Sequence, residues 1–370
     1  MSFNSYQRKE EMKAACVIFV IASVVYGNAM AADLQLMGSV QFKDQQEAGC
    51  VKSSEYNGCI KAVEDLSAIG RVGEYLVVGA DEGTGPDGDI NIIQVLSQQA
   101  DDQYVVTNDI VLFTGDKGNG KEMDIEGIAV EGNYLYVIGS HSSRRNTVKP
   151  DKSYKNNRKT FHNKRIDDEV NRDWLYRLKV DAQMQLTEKK RITLRSIIQK
   201  HKVLKTFSQI PSKENGIDIE GIAVVDNWIY AGFRGPVFRD NYVPVLKLKF
   251  DDPENTASLL WVNFSGGGIR DMAKVDDGFL IISGPVGDGP GTYSVHHWDG
   301  RDMIPGKKRE QAEIGKVIKL GEIDPPEGGK AEGILVVGEN DGGSYEFMLV
   351  FDGVKNGSPM LFKFSRGGKE

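Results

Sequence analysis

The chain has 370 residues, 46 Lys/Arg against 53 Asp/Glu, and a net charge of −7. A body this acidic repels phosphate backbones, which excludes nucleic acid as a partner. The charge is uneven: residues 142–213 hold 20 Lys/Arg and 7 Asp/Glu, while the remainder holds 26 against 46.

Arg8, Lys9 and Lys13 precede an apolar run over Ala14–Tyr26, followed by Ala29-Met-Ala31, a small-x-small cleavage pattern. This predicts a signal peptide over residues 1–31 and a periplasmic or secreted mature chain. The run is shorter than the ~20 residues a spanning helix needs, and Cys16 stands at its start, where a lipoprotein cysteine would not. No membrane span is expected after cleavage. The mature chain keeps Cys50 and Cys59. In an oxidising compartment two thiols at that spacing read as a local disulfide.

Five units follow. Asp124-Ile-Glu-Gly-Ile-Ala-Val130 recurs as Asp218-Ile-Glu-Gly-Ile-Ala-Val224, with fainter copies beginning at Asp65, Gly268 and Lys330. Each copy leads through a polar turn into a second apolar run, as in Glu131-Gly-Asn133, Val225-Asp-Asn227 and Asp276-Asp-Gly278. Strand-rich units repeating at more than ~40 residues predict an all-β fold, a β-propeller of four-stranded blades. We label the strands A to D from the axis outward. In the second unit the alternation gives Glu126–Val130, Tyr134–Ile138, Trp174–Val180 and Lys190–Leu194. The fifth unit offers only Glu332–Val337, Tyr345–Phe351 and Pro359–Phe364, one strand short. The orphan run Leu34–Phe42 supplies the missing outer strand and closes the ring, leaving no free edge. Five blades result. Six is the alternative if the 94 residues from Asp124 to Asp218 contain a degenerate blade, but they hold no second A-type phrase. One domain over 32–370, a monomer, then carries two basic insertions, at 142–171 and 195–213. The first is polar and predicted to be a mobile cationic lid. The second has a helical stripe of Ile197, Ile198, Val203 and Leu204.

In an up-and-down blade, the loop before strand A and the loop joining B to C open on the same face. The repeated phrase therefore puts Asp65, Asp124, Asp218, Gly268 and Lys330, and two positions on Ser67, Glu126, Glu220, Arg270 and Glu332, at the mouth of the axial channel. Gly127, Gly221 and Gly333 would let a neighbouring backbone or a ligand approach closely. Asp124, Glu126, Asp218, Glu220 and Glu332 are candidate ligands for Ca²⁺ or another divalent cation, which takes six to eight oxygens. Arg144, Arg234, Arg270 and Lys330 are candidates to hold an anionic small molecule or glycan. Glu126 and Glu220 are candidate catalytic bases, and His141 is a candidate acid or base. The competing reading is that these ions merely fasten the channel wall, Arg270 pairing with Glu220 and Glu332. Gly83–Asp89 has the composition of a Ca²⁺ loop without EF-hand spacing, and Gly284–Gly291 is glycine-rich without a following helix or Lys-Ser/Thr.

The phrases DIEGIAV, YVIGSHS, YAGFRGPV and IRDMAKV resemble a family of bacterial proteins known only as a domain of unknown function, over nearly the whole mature chain. The Asp-x-Glu-Gly-Ile-Ala core is also similar to esterase-like phytase domains. That likeness implies Asp124, Glu126, Asp218, Glu220 and Glu332 as metal or catalytic carboxylates. Arg270 and Ser67 depart from it. The function expected is metal-assisted hydrolysis of phosphoesters or other anionic esters. The alternative is a non-catalytic propeller that binds an anionic glycan, a small molecule or an envelope protein.

Overall fold

The computed structural model describes residues 33–45, 59–61, 64–85, 87–116, 120–162, 166–340 and 343–365. The expected signal peptide and Cys50 lie outside the described residues; Cys59 is buried. Among the described residues, no helix is long and apolar enough to cross a membrane.

Five antiparallel blades form, one for each sequence unit. Blade one contains Leu66–Val72, Tyr75–Ala80, Ile90–Ala100 and Gln103–Thr114. Blade two contains Ile125–Glu131, Tyr134–Gly139, Trp174–Val180 and Leu186–Thr193. Blade three contains Asp218–Val225, Trp228–Gly235, Tyr242–Leu248 and Ser258–Asn263. Blade four contains Gly268–Val275, Gly278–Gly284, Tyr293–Trp298 and Val317–Ile323. Blade five contains Lys330–Asn340, Ser344–Asp352 and Met360–Ser365, completed by Asp33–Ser39 from the other end of the chain. The A–B turns are tight hairpins. In blade three Asp226 and Asn227 take φ 52° and 63°, the left-handed pair that matches strand twist in a two-residue turn.

The closure follows the expectation, with one difference. Leu34 pairs with Phe364 and Leu36 with Phe362, antiparallel. The predicted single strand Leu34–Phe42 instead divides at Val40, whose N–H donates to Pro359. Gln41–Lys43 then crosses to blade one and pairs in parallel with Gln103–Val105. One segment thus covers the outer edges of both the last and the first blade. The closure ties the ring through residues that local patterning reads as one strand.

Both faces of every blade are covered by neighbours, which is why both sides of the inner strands are buried. Ile222 and Ile269 of adjacent inner strands share one core with Phe233 and Ile281. The insertions differ from expectation in part. Tyr154–His162 forms an α-helix with no buried residue, and Ser143–Arg144 ladders with Asp167–Asp168. A helix that packs nothing needs no apolar stripe, so periodicity gives no sign of it. In the second insertion Ile197, Ile198 and Leu204 are buried as the stripe requires, while Val203 is exposed.

Candidate functional site

The repeated phrase places its third residue by a device the period-two pattern does not reveal. In all five inner strands the pairing register slips at that residue: between Leu66 and Ala68, Ile125 and Gly127, Ile219 and Gly221, Ile269 and Asp271, Ala331 and Gly333. The bulged residues are Ser67, Glu126, Glu220, Arg270 and Glu332, and all are buried. A β-bulge leaves one residue outside the ladder and re-aims its side chain. The following glycine serves the same approach. A Cβ on Gly127 would stand 2.9 Å from Ile222 Cγ2 and 3.0 Å from the Glu220 carbonyl oxygen of the next blade.

Two arginines join the ring. Arg234, at the end of strand B in blade three, pairs with Asp218 and lies 2.5 Å from Glu220 Oε1. Arg270 pairs with Glu332 and lies 3.0 Å from Glu220 Oε2. Further out, Arg172 pairs with Glu122 and, at 2.9 Å, with Asp124. Arg144 reaches Glu169 at 2.8 Å, and Lys330 holds Asp352 at 2.6 Å.

Glu126 differs from Glu220 and Glu332, the other carboxylates at its position of the phrase. It is 8% exposed, and no ion pair or hydrogen bond links its carboxyl to another described residue. One oxygen each from Glu126, Asp218 and Glu220 lie within 4.8 Å of one another. Burial pushes the Glu126 carboxyl well above the ordinary range, and Glu220, Asp124, Asp218 and Asp81 push it further. Burial also raises Glu220, but the guanidinium groups of Arg234 and Arg270 oppose the rise. Of the two copies of the phrase, one carboxylate is compensated by arginines and the other has its pKa pushed upward by burial and like charges.

These groups line a cavity of about 440 Å³ at the channel mouth. Of the expected residues, Asp124, Glu126, Asp218, Glu220 and Glu332 line it, with Arg144, Arg234 and Lys330. Arg270 lies behind this wall. His141 is outside it: the ring is buried, Nδ1 donates to Gly139 O at 2.8 Å, and Nε2 accepts the Leu194 N–H at 3.3 Å. Both ring nitrogens are engaged with backbone, and burial lowers the pKa. Ten carboxylates against six cations line the cavity, so an anion finds no net positive charge there.

Sequence reasoning missed Asp81, Glu122 and Arg172 in this lining. It also missed that Asp65, Asp81 and Asp352 form a second carboxylate trio within 4.8 Å. Asp81 Oδ1 is buried and without a hydrogen-bond partner. The available signal was position: Asp81 directly follows strand B of blade one, and Asp352 ends strand B of blade five, both at the mouth.

Ring and mouth together define a five-bladed β-propeller with an ionisable axial cavity. The chain belongs to the family described as a protein of unknown function, DUF3616, whose model matches residues 65–358. A search of curated proteins returns no match. Among solved structures, exo-β-1,3-galactanase from Phanerochaete chrysosporium is similar over 89% of this chain at 9% identity and TM-score 0.44. This chain spans only 63% of the galactanase. MPT-4, a mannose phosphorylase from Leishmania mexicana, is similar over 89% of this chain and 88% of its own, at 11% identity and TM-score 0.44. Trypanosoma rangeli sialidase matches over 92% of this chain and 59% of its own, at 12% identity and TM-score 0.36. Likeness at this level carries no assignment of activity.

Proposed function

We propose that the axial mouth is a hydrolytic site for an ester of an anionic substrate, with Glu126 as its general acid. The observation that carries this is Glu126 itself: a buried carboxyl, facing like charges, with no ion pair or hydrogen bond to another described residue. A fold that needed only a fastener would pair it, as it pairs Glu220. A carboxyl whose pKa is raised by burial and like charges is suited to give its proton to a departing oxygen. As the ester bond breaks, that proton passes to the leaving alkoxide. Water adds to the acyl or phosphoryl centre, and Asp124, paired with Arg172 in the same cavity, takes the proton the water releases. Return of that proton to Glu126 through solvent resets the site. The likeness of the repeated phrase to esterase-like phytase domains supports the same reading, and the leader pattern at the amino terminus supports an exported enzyme.

A divalent cation is the competing partner for Glu126. The oxygens of Glu126, Asp218 and Glu220 are hard donors of the kind Ca²⁺ takes. Bound there, a cation would polarise an ester oxygen. Asp218 and Glu220 already hold Arg234, which limits what they can still offer a cation.

The test is turnover of a panel of phosphoesters and carboxyl esters by purified protein, with and without Ca²⁺, alongside Glu126→Gln. Loss of a positioned acid removes about 10²–10⁴ in rate. No turnover on any ester, or a Glu126→Gln protein as active as the wild type, overturns the proposal.

A further inference from the structure

The acidic cavity leaves a question for an anionic substrate: where the negative group goes. A second cavity of about 370 Å³ adjoins the first and shares Lys213, Arg234, Asp288 and Lys330 with it. Its lining holds Lys213, Arg234, Arg270 and Lys330 against Asp288 and Asp324; Lys213 lies 3.6 Å from Asp288, and Lys330 holds Asp352, which lies outside the lining.

The arginines that form the common wall are polarised across it. Their carboxylate partners Asp218, Glu220 and Glu332 line the first cavity and not the second. Arg234 and Arg270, both under 4% exposed, thus present carboxylates to one side and guanidinium flank to the other. Buried ion pairs in a medium less polar than water keep such a field at short range.

The remaining wall is the glycine-rich segment after strand B of blade four. Pro285, Gly287, Asp288, Gly289, Pro290 and Gly291 line this second cavity. Among the described residues, the amides of Gly287, Asp288 and Gly289 donate to no other group. The absence of bulky side chains leaves them open to an oxyanion.

We propose that this second cavity is the anion subsite of the mouth, holding a phosphate or carboxylate of the substrate while the scissile bond lies towards Glu126. This rests on the hydrolytic reading above for the word substrate, but the binding itself does not. The volume is within the range of small-ligand sites, large enough for an anionic group together with part of its carrier.

The experiment measures melting temperature against inorganic phosphate and, separately, glucuronate, at constant ionic strength balanced with chloride. Removing Arg270 would break the ring, so the variant is Gly289→Asp. Gly289 lines the cavity and a Cβ there meets nothing within 4 Å, so an aspartate adds a negative charge to the lining without a clash. The expected result is saturable stabilisation of the wild type by at least one of the two anions, identifying phosphate or carboxylate as the group held. Gly289→Asp should weaken it by about tenfold, the effect of one added like charge at close range, while Gly289→Ala retains it. Glu126→Gln should also retain it, since Glu126 does not line this cavity. Stabilisation by neither anion overturns the proposal, as does an equal response in Gly289→Asp and the wild type. Anion binding without ester turnover would leave this subsite standing and remove the hydrolytic reading.

Discussion

Glu126 and Glu220 occupy the same position of the same phrase in adjacent blades, yet changing each to Gln should move stability in opposite directions. Glu220 sits between Arg234 and Arg270, 2.5 and 3.0 Å away. Glu220→Gln leaves two buried guanidinium groups short of a charge, a loss of about 3–5 kcal/mol for a broken buried pair. For the unit Ala32–Glu370, unfolding entropy is about 0.7 kcal/mol per kelvin, so the melting temperature should fall by about 4–7 °C. Glu126 makes no ion pair with another described residue. Its folded pKa lies above the unfolded value, so at low pH the carboxyl is neutral in both states and contributes no difference. As pH rises past about 4.3, the unfolded chain ionises while the folded one does not, and wild-type stability falls by up to about 1.4 kcal/mol per pH unit until Glu126 ionises in the fold. Glu126→Gln removes that loss. In chelator at pH 7.5 the variant should melt above the wild type, and the gain should vanish by pH 4, measured by thermal or urea unfolding across the range. A Glu126→Gln protein that melts below the wild type at pH 7.5 would show that the carboxylate is ionised and paired, which removes the basis for its acid role.

Three further outcomes are expected. If a cation does occupy the site, saturating Ca²⁺ should stabilise the wild type by about 2.7 kcal/mol at a hundredfold excess over Kd and leave the Glu126→Gln/Glu220→Gln double variant unmoved; an equal response in both would place the ion elsewhere. Gly221→Ala puts a Cβ 2.9 Å from Ile269 Cγ2 and 3.2 Å from the Asp271 carbonyl carbon, so calorimetry should record about 1–3 kcal/mol of destabilisation, and a neutral result would mean that the blades are not seated this closely. Alkylation without reductant followed by mass measurement should leave Cys50 and Cys59 unmodified in exported protein, the bridge contributing about 2–3 kcal/mol by loop entropy; two modified thiols would refute the pairing.

The blade count, the strands and the closing segment were legible because each depends on a local pattern that must repeat. A blade buries both faces, so each inner strand is apolar and each turn polar, and a unit lacking its fourth strand implies a donor elsewhere. The orphan run beginning at Leu34 is that donor. The ring positions were legible for the same reason: identical phrases occupy identical places, and Glu126, Glu220 and Glu332 do line one cavity. The resemblance to a family without assigned function also holds over residues 65–358.

What the tertiary structure decided is which charges meet. Arg270 and Glu332 are 62 residues apart, and Arg172 and Glu122 are 50 apart. No local periodicity ranks such pairs, because partners are chosen by the stacking of blades and by bulges that turn one residue out of each ladder. The same stacking gives Glu220 two arginines and Glu126 none, though the two stand in the same phrase. It directs His141 to the Leu194 backbone instead of the mouth, and divides Leu34–Phe42 between the last blade and the first. The repeat determines where an ionisable group stands; the desolvation and the neighbours that set its protonation arise only when five blades close around the axis.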